Sequence, residues 1–162
     1  MAVGSVNGEH EHSPSLARTM TSAESKPLVL LVEDYDDARD MYRDYLEFSG
    51  FRVETARDGR EALDKARSLH PDVILMDLSL PGIDGWEATR ILKSSPDTNG
   101  LRIIALSAHA LGPEGERARQ AGCDGFIAKP CLPADLVSEL AVFLKMPGVP
   151  VPNGRAARPH RS

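Results

Sequence analysis

Five polar side chains stand where apolar runs stop. Glu33 and Asp34 follow PLVLLV, Asp77 closes PDVILMD, Ser107 ends the apolar part of LRIIALSA, and Lys129 closes DGFIAK. Crowded carboxylates repel one another, and their proximity makes sense around a hard cation such as Mg²⁺, which takes oxygen ligands. A lysine and a hydroxyl suit an incoming anion, most simply a phosphoryl group. An aspartate between the two sets can attack phosphorus and become an aspartyl phosphate. That transfer needs mostly positioning and charge neutralisation. Each residue alone has a plainer reading: Asp77 as a cap or turn residue, Glu33 and Asp34 as a capping cluster, Lys129 as a solvated surface charge. Only their conjunction in one place favours the chemistry.

The elements around them supply that conjunction. PLVLLVED is a short, nearly continuous apolar run, as expected of a strand covered on both faces. Ala38, Met41, Tyr42, Tyr45 and Leu46 then recur at helical spacing, and Gly50 can end that helix. FRVETA alternates as a second strand, and Asp58 with Glu61 forms a capping signal for a helix over GREALDKARSLH. PDVILMD is the third strand, and Asp84 with Glu87 repeats the capping signal before GWEATRILKSS. LRIIALSA is the fourth strand, followed by a helix from Pro113 through Gln120, closed by Gly122. DGFIAK is the fifth, and Pro133 begins a last helix with Leu136, Leu140, Phe143 and Leu144 on one face.

This alternation predicts an α/β fold: a doubly wound five-stranded parallel sheet, order 2-1-3-4-5, with helices on both faces. Ligands of such sheets sit at the carboxyl ends of the strands, where the winding reverses, between strands one and three. Neighbouring strands lie roughly 4.8 Å apart, so the five polar residues share one edge, from acidic pair to lysine.

The rest of the chain narrows the function classes. The 162 residues suit one domain with tails, and 41% hydrophobic with 27% charged residues is an ordinary globular composition. A net charge of -5 disfavours wholesale nucleic-acid binding. Cys123 and Cys131 lack metal-ligand spacing and suggest reduced, structural thiols in a cytoplasmic protein. No run approaches membrane-spanning length, and the polar start MAVGSVNGEHEHSPS lacks the apolar stretch of a secretory signal. Residues 1–25 and 147–162 are expected to be disordered tails around a domain over 26–146. His10 and His12 hint at metal, but composition favours a solvated tail.

The segment from about Lys26 to Met146 resembles a receiver domain, the phospho-acceptor module of bacterial two-component signalling. The matching motifs are LLVED, VILMDLSLPGIDGWE, ALSA and GFIAKP, each weak alone and specific in this order and spacing. The resemblance implies a flavodoxin-like receiver fold and Asp77 as phosphoacceptor. It implies Mg²⁺ held by Asp34, with Glu33 assisting, Asp77 itself and the carbonyl of Ser79. Ser107 and Lys129 would bind the phosphoryl oxygens, a cis peptide would precede Pro130, and Phe126 would be the aromatic switch partnered with Ser107. Ser79 and His109 would flank the path of the hydrolytic water and tune the phosphoryl lifetime. Ser at 107 and Phe at 126 depart from the commoner Thr and Tyr, and Phe126 cannot anchor its inward state through a phenolic hydrogen bond.

The implied function is a response regulator, taking phosphate from a sensor histidine kinase or phosphotransfer protein and catalysing only its own phosphorylation and dephosphorylation. Its output would be a downstream protein target rather than DNA or membrane, through a face of the fourth helix, fifth strand and fifth helix. It would act as a monomer or a phosphorylation-dependent homodimer. The 17 residues after Lys145 are too few and too polar for an output domain, so a single-domain regulator or relay is expected. Two alternatives stand beside it. A haloacid dehalogenase-type hydrolase also uses a strand-end aspartate, but that family carries a second Asp where this chain has Ser79. A degenerate receiver acting only as a binding module is disfavoured by intact Asp34, Asp77 and Lys129.

Overall fold

A computed structural model describes residues 26–108 and 112–145. The expected tails lie outside the described residues, as do His10, His12 and His109. Five strands alternate with five helices: β1 Leu28–Val32, α1 Asp36–Phe48, β2 Arg52–Ala56, α2 Gly59–Leu69, β3 Val73–Asp77, α3 Gly85–Ser94, β4 Ile103–Ser107, α4 Pro113–Ala121, β5 Gly125–Ala128 and α5 Pro133–Phe143. The strands form one parallel sheet in the order β2-β1-β3-β4-β5, as the alternation predicts.

Strand burial follows position in the sheet. Every residue of β3 and β4 is buried, whereas the edge strand β2 exposes Arg52 and Glu54. Side chains alternate between two cores, as the period of a strand demands. Val29, Leu31, Val73, Leu75, Ile104 and Leu106 face one core with Tyr42 and Leu46 of α1 and Leu136 and Leu140 of α5. Leu30, Val32, Ile74, Met76 and Ile103 face the other with Ala62, Leu63 and Ala66 of α2 and Ala88 and Leu92 of α3.

The helix signals act where the sequence places them, with two refinements. Asp58 and Asp84 accept from the amides of Glu61 and Glu87, each at 2.8 Å. Glu61 reaches back to the amide of Arg57 rather than to that of the cap, and Glu87 instead ion-pairs with Arg90. Gly122, at φ 103°, closes α4 in the left-handed conformation that glycine adopts without penalty. On α1 the inward stripe is narrower than the spacing predicts. Tyr42 and Leu46 are buried, but Met41 and Tyr45 are 46% and 38% exposed. A single packed seam needs only positions four apart, and Met41 and Tyr45 each lie about 100° around the helix from it.

The entry of α3 is seated directly on the end of β3. A Cβ on Gly85 would lie 2.2 Å from the carbonyl oxygen of Asp77 and 2.8 Å from the Cα of Leu78. Both obstacles are backbone, so a side chain there displaces the strand end that carries Asp77. Gly85→Ala is therefore expected to cost about 1–3 kcal/mol, the usual penalty of overpacking. Urea unfolding checks this; an unchanged midpoint would show that the helix entry can yield.

Candidate functional site

Four strand ends converge on one edge. Val32 pairs with Met76, and Asp77 with Leu106, so Glu33 follows β1 at the level where Asp77 ends β3. Ser107 pairs with Ala128, and Lys129 comes next in the chain, its amide donating to the carbonyl of Ser107 at 2.8 Å. Glu33, Asp77 and Ser107 are buried at 2%, 4% and 4% exposure. Glu33, Asp34 and Asp77 each offer a carboxylate oxygen within 4.8 Å of the others, with Asp34 exposed and the other two buried.

Asp77 is fixed on both sides. Its Oδ1 accepts from the amide of Ser79 at 2.9 Å, and its Oδ2 accepts from Lys129 Nζ at 3.3 Å. The same ammonium donates to Glu33 Oε2 at 2.5 Å. Glu33 Oε1 accepts from the amide of Tyr35 at 3.3 Å. The lysine thus bridges two buried carboxylates, while Asp34 faces solvent beside them. The peptide bond between Lys129 and Pro130 is cis, as expected.

Burial raises the pKa of Glu33 above the usual carboxylate range; the Lys129 hydrogen bond opposes this, and the charge of Asp77 adds to it. For Lys129, burial works against the ammonium, but the Glu33 hydrogen bond and the charge of Asp77 outweigh it and raise its pKa. The asymmetry is physical. The ammonium has two acids to gain from, whereas Glu33 has one cation and acidic neighbours.

The donor set fits a hard divalent cation: three clustered carboxylates, two of them buried, with a lysine already neutralising part of their charge. Ser79 is exposed and next but one to Asp77, where its carbonyl follows the β3 end. Phe126 lies half-buried with Trp86 against a small cluster of Leu78, Ala105 and Ala118. Trp86 therefore packs, and the guanidinium of Arg117 stacks 4.2 Å from its ring centroid. Burial pushes the thiols of Cys123 and Cys131 up to about 11, in keeping with inert cysteines.

The sequence pattern does not mark two contributors to the site. Arg39, 7% exposed, donates from Nη1 to the carbonyl of Glu33 at 3.1 Å and ion-pairs with Asp36. Tyr42 was expected only as a core residue, yet its hydroxyl donates to the carbonyl of Cys131 at 2.9 Å. The available signal was their placement on the helix that follows Glu33-Asp34. Neither partner could be named, because both accept through backbone oxygens, which leave no trace in residue types.

The chain is similar to known proteins. A family model described as the response regulator receiver domain matches residues 29–141. The polar-differentiation response regulator DivK of Brucella ovis is 43% identical over 102 residues, covering 63% of this chain and 83% of that protein. Among solved structures, Vibrio cholerae chemotaxis protein CheY4 matches with a TM-score of 0.69 at 30% identity, over 73% of this chain and 98% of that one. The receiver domain of sensor histidine kinase PA1611 from Pseudomonas aeruginosa PAO1, solved with a magnesium ion coordinated in its active site cleft, matches with a TM-score of 0.69 at 35% identity. That alignment covers 75% of this chain and 99% of the other.

The raised pKa of Glu33 carries a stability sign. Its contribution is present at pH below the ordinary carboxylate value of about 4.3 and is lost as pH rises through the raised folded value. Ionised Glu33 is thus a net cost to the metal-free fold at neutral pH. Glu33→Gln should raise the metal-free melting midpoint at pH 7, and the gain should shrink toward pH 4. A midpoint lowered at pH 7 would show that the Lys129 ion pair outweighs burial.

Proposed function

The chain belongs to the response regulator receiver-domain family, and on that premise we propose that it is a phospho-accepting response regulator whose Asp77 takes a phosphoryl group in a Mg²⁺-dependent reaction. The observation that carries this reading is the fixed, buried Asp77 carboxylate, held by the Ser79 amide and Lys129 within reach of Glu33 and Asp34. The donors would be a sensor histidine kinase or a phosphotransfer protein. No helix among the described residues is long and apolar enough to cross a membrane, and the proposed setting is the cytoplasm.

The chemistry follows from charge. A carboxylate oxygen of Asp77 forms a bond to phosphorus as the bond from phosphorus to the donor's imidazole nitrogen breaks, and the imidazole leaves with that electron pair. Asp34, Asp77 and the Ser79 carbonyl, assisted by Glu33, would hold Mg²⁺. When bound, the ion neutralises negative charge on the transferring group. Lys129, an ammonium with three N–H donors, would pair with a phosphoryl oxygen. The Ser107 hydroxyl donates to another oxygen. The protein turns over no external substrate on this reading and promotes only its own phosphorylation and dephosphorylation.

The output on this reading is a protein contact on the face of α4, β5 and α5, to which Ser107, Phe126 and Lys129 would connect the site. A phosphoryl group favours one arrangement of that face over another. Downstream protein binding follows, with homodimerisation as a second use of the same face. Ser79 and His109 tune how long the phosphoryl group lasts.

Intact-mass measurement after acetyl phosphate and Mg²⁺ treatment should show one added phosphoryl group in wild type and none in Asp77→Asn. Equal labelling would sink the assignment, and no labelling of wild type would favour a binding-only receiver. Asp34→Ala removes an oxygen ligand and a charge, and Mg²⁺ titration read by Trp86 fluorescence should show affinity weakened at least about ten-fold. Unchanged affinity would move the metal elsewhere.

A further inference from the structure

Lys129 is the cation of the site, yet it lies in the connection between β5 and α5 rather than inside a strand. Its own amide is held by Ser107 on the β4 side. On the other side the connection runs through Pro130 and Cys131 to Leu132, which is 68% exposed. Loops with exposed residues sample more positions than strands do. Something must restrain this one if the ammonium is to stay on Asp77.

Tyr42 supplies the restraint. The residue is 6% exposed, and its side chain packs from α1 into the core shared with the sheet and α5. Its hydroxyl crosses to the carbonyl of Cys131, two residues after Lys129, at 2.9 Å. A phenylalanine would fill the same space, so the hydroxyl is an addition to packing rather than a part of it. A buried phenol without a partner carries a cost, which this bond offsets.

We propose that the Tyr42 hydroxyl is a positioning group for Lys129: by holding the Cys131 carbonyl it fixes the connection from β5 to α5, so that the ammonium stays in reach of Asp77 and of an anion bound there. This rests on the phospho-acceptor reading above. Glu33 and Asp34 are carried by the end of β1, and Asp77 by β3, so removing the hydroxyl reaches these carboxylates only through Lys129 and acts first on the anion side.

The test uses the full chain with Tyr42→Phe. Beryllofluoride, a phosphoryl mimic, is titrated at saturating Mg²⁺, and Mg²⁺ is titrated alone, both read by Trp86 fluorescence. Loss of one hydrogen bond should weaken beryllofluoride binding about three- to ten-fold, while Mg²⁺ affinity stays within about two-fold of wild type. Leu46→Ala, in the same core and on the same helix, serves as the packing control. It should lower the urea midpoint without separating the two affinities. Unchanged beryllofluoride affinity in Tyr42→Phe, equal weakening of both ligands, or the same separation in Leu46→Ala would each overturn the positioning role. Wild type that fails to bind beryllofluoride would instead overturn the phospho-acceptor reading, and this inference with it.

Discussion

Repulsion among Glu33, Asp34 and Asp77 is the constraint around which this fold is arranged. Two unit charges at such separations repel by about 4 kcal/mol at an effective dielectric of about 20, a large fraction of the stability of an ordinary domain. The parallel sheet forces the approach, because β1 and β3 are hydrogen-bonded neighbours whose ends fall level. Lys129 is the counterweight in the metal-free protein, bridging Glu33 and Asp77. A site strained in this way is stabilised by added positive charge and, on the proposed reading, is reset when a phosphoryl group competes for the lysine.

Several remote features make sense as supports for that arrangement. Gly85 lets α3 begin against the carbonyl of Asp77, and Asp84 caps the helix at that entry. Arg39 holds the carbonyl of Glu33 from α1, and one turn later Tyr42 holds the carbonyl of Cys131. A single helix therefore touches the backbone beside the acidic pair and the backbone beside the lysine. The cluster of Leu78, Ala105 and Ala118, with Trp86 and Phe126 packed on it, connects the residue after Asp77 to β5. On the proposed reading, that packing would carry a change at the site toward the face of α4 and β5.

Much of this was legible in the residues. Near-continuous apolar runs such as VILMD and IIALS marked central strands, and the structure buries them completely. Asp58 and Asp84 marked helix starts because a side-chain cap is a local interaction between residues close in sequence. The grouping of Glu33, Asp34, Asp77, Ser107 and Lys129 followed from strand order, once the βα alternation had been recognised. What escaped was tertiary. Met41 and Tyr45 have the spacing of a buried face, but exposure depends on how narrow a seam the sheet offers α1. Arg39 and Tyr42 bind backbone carbonyls contributed by other elements, and Lys129 bonds Glu33 as well as Asp77. Such pairings are set by distances of a few tenths of an ångström, which no pattern of residue types encodes.

The covalent chemistry of one side chain decides most directly whether Asp77 is a phospho-acceptor. Borohydride reduces an acyl phosphate and leaves free carboxylates intact, so treatment with acetyl phosphate, reduction and peptide mapping reveals which acid was activated. Asp77 should be converted to homoserine in the presence of Mg²⁺ and left unchanged when the metal is chelated. Conversion at another acid, or at Asp77 regardless of the metal, would contradict the proposed Mg²⁺-dependent reaction.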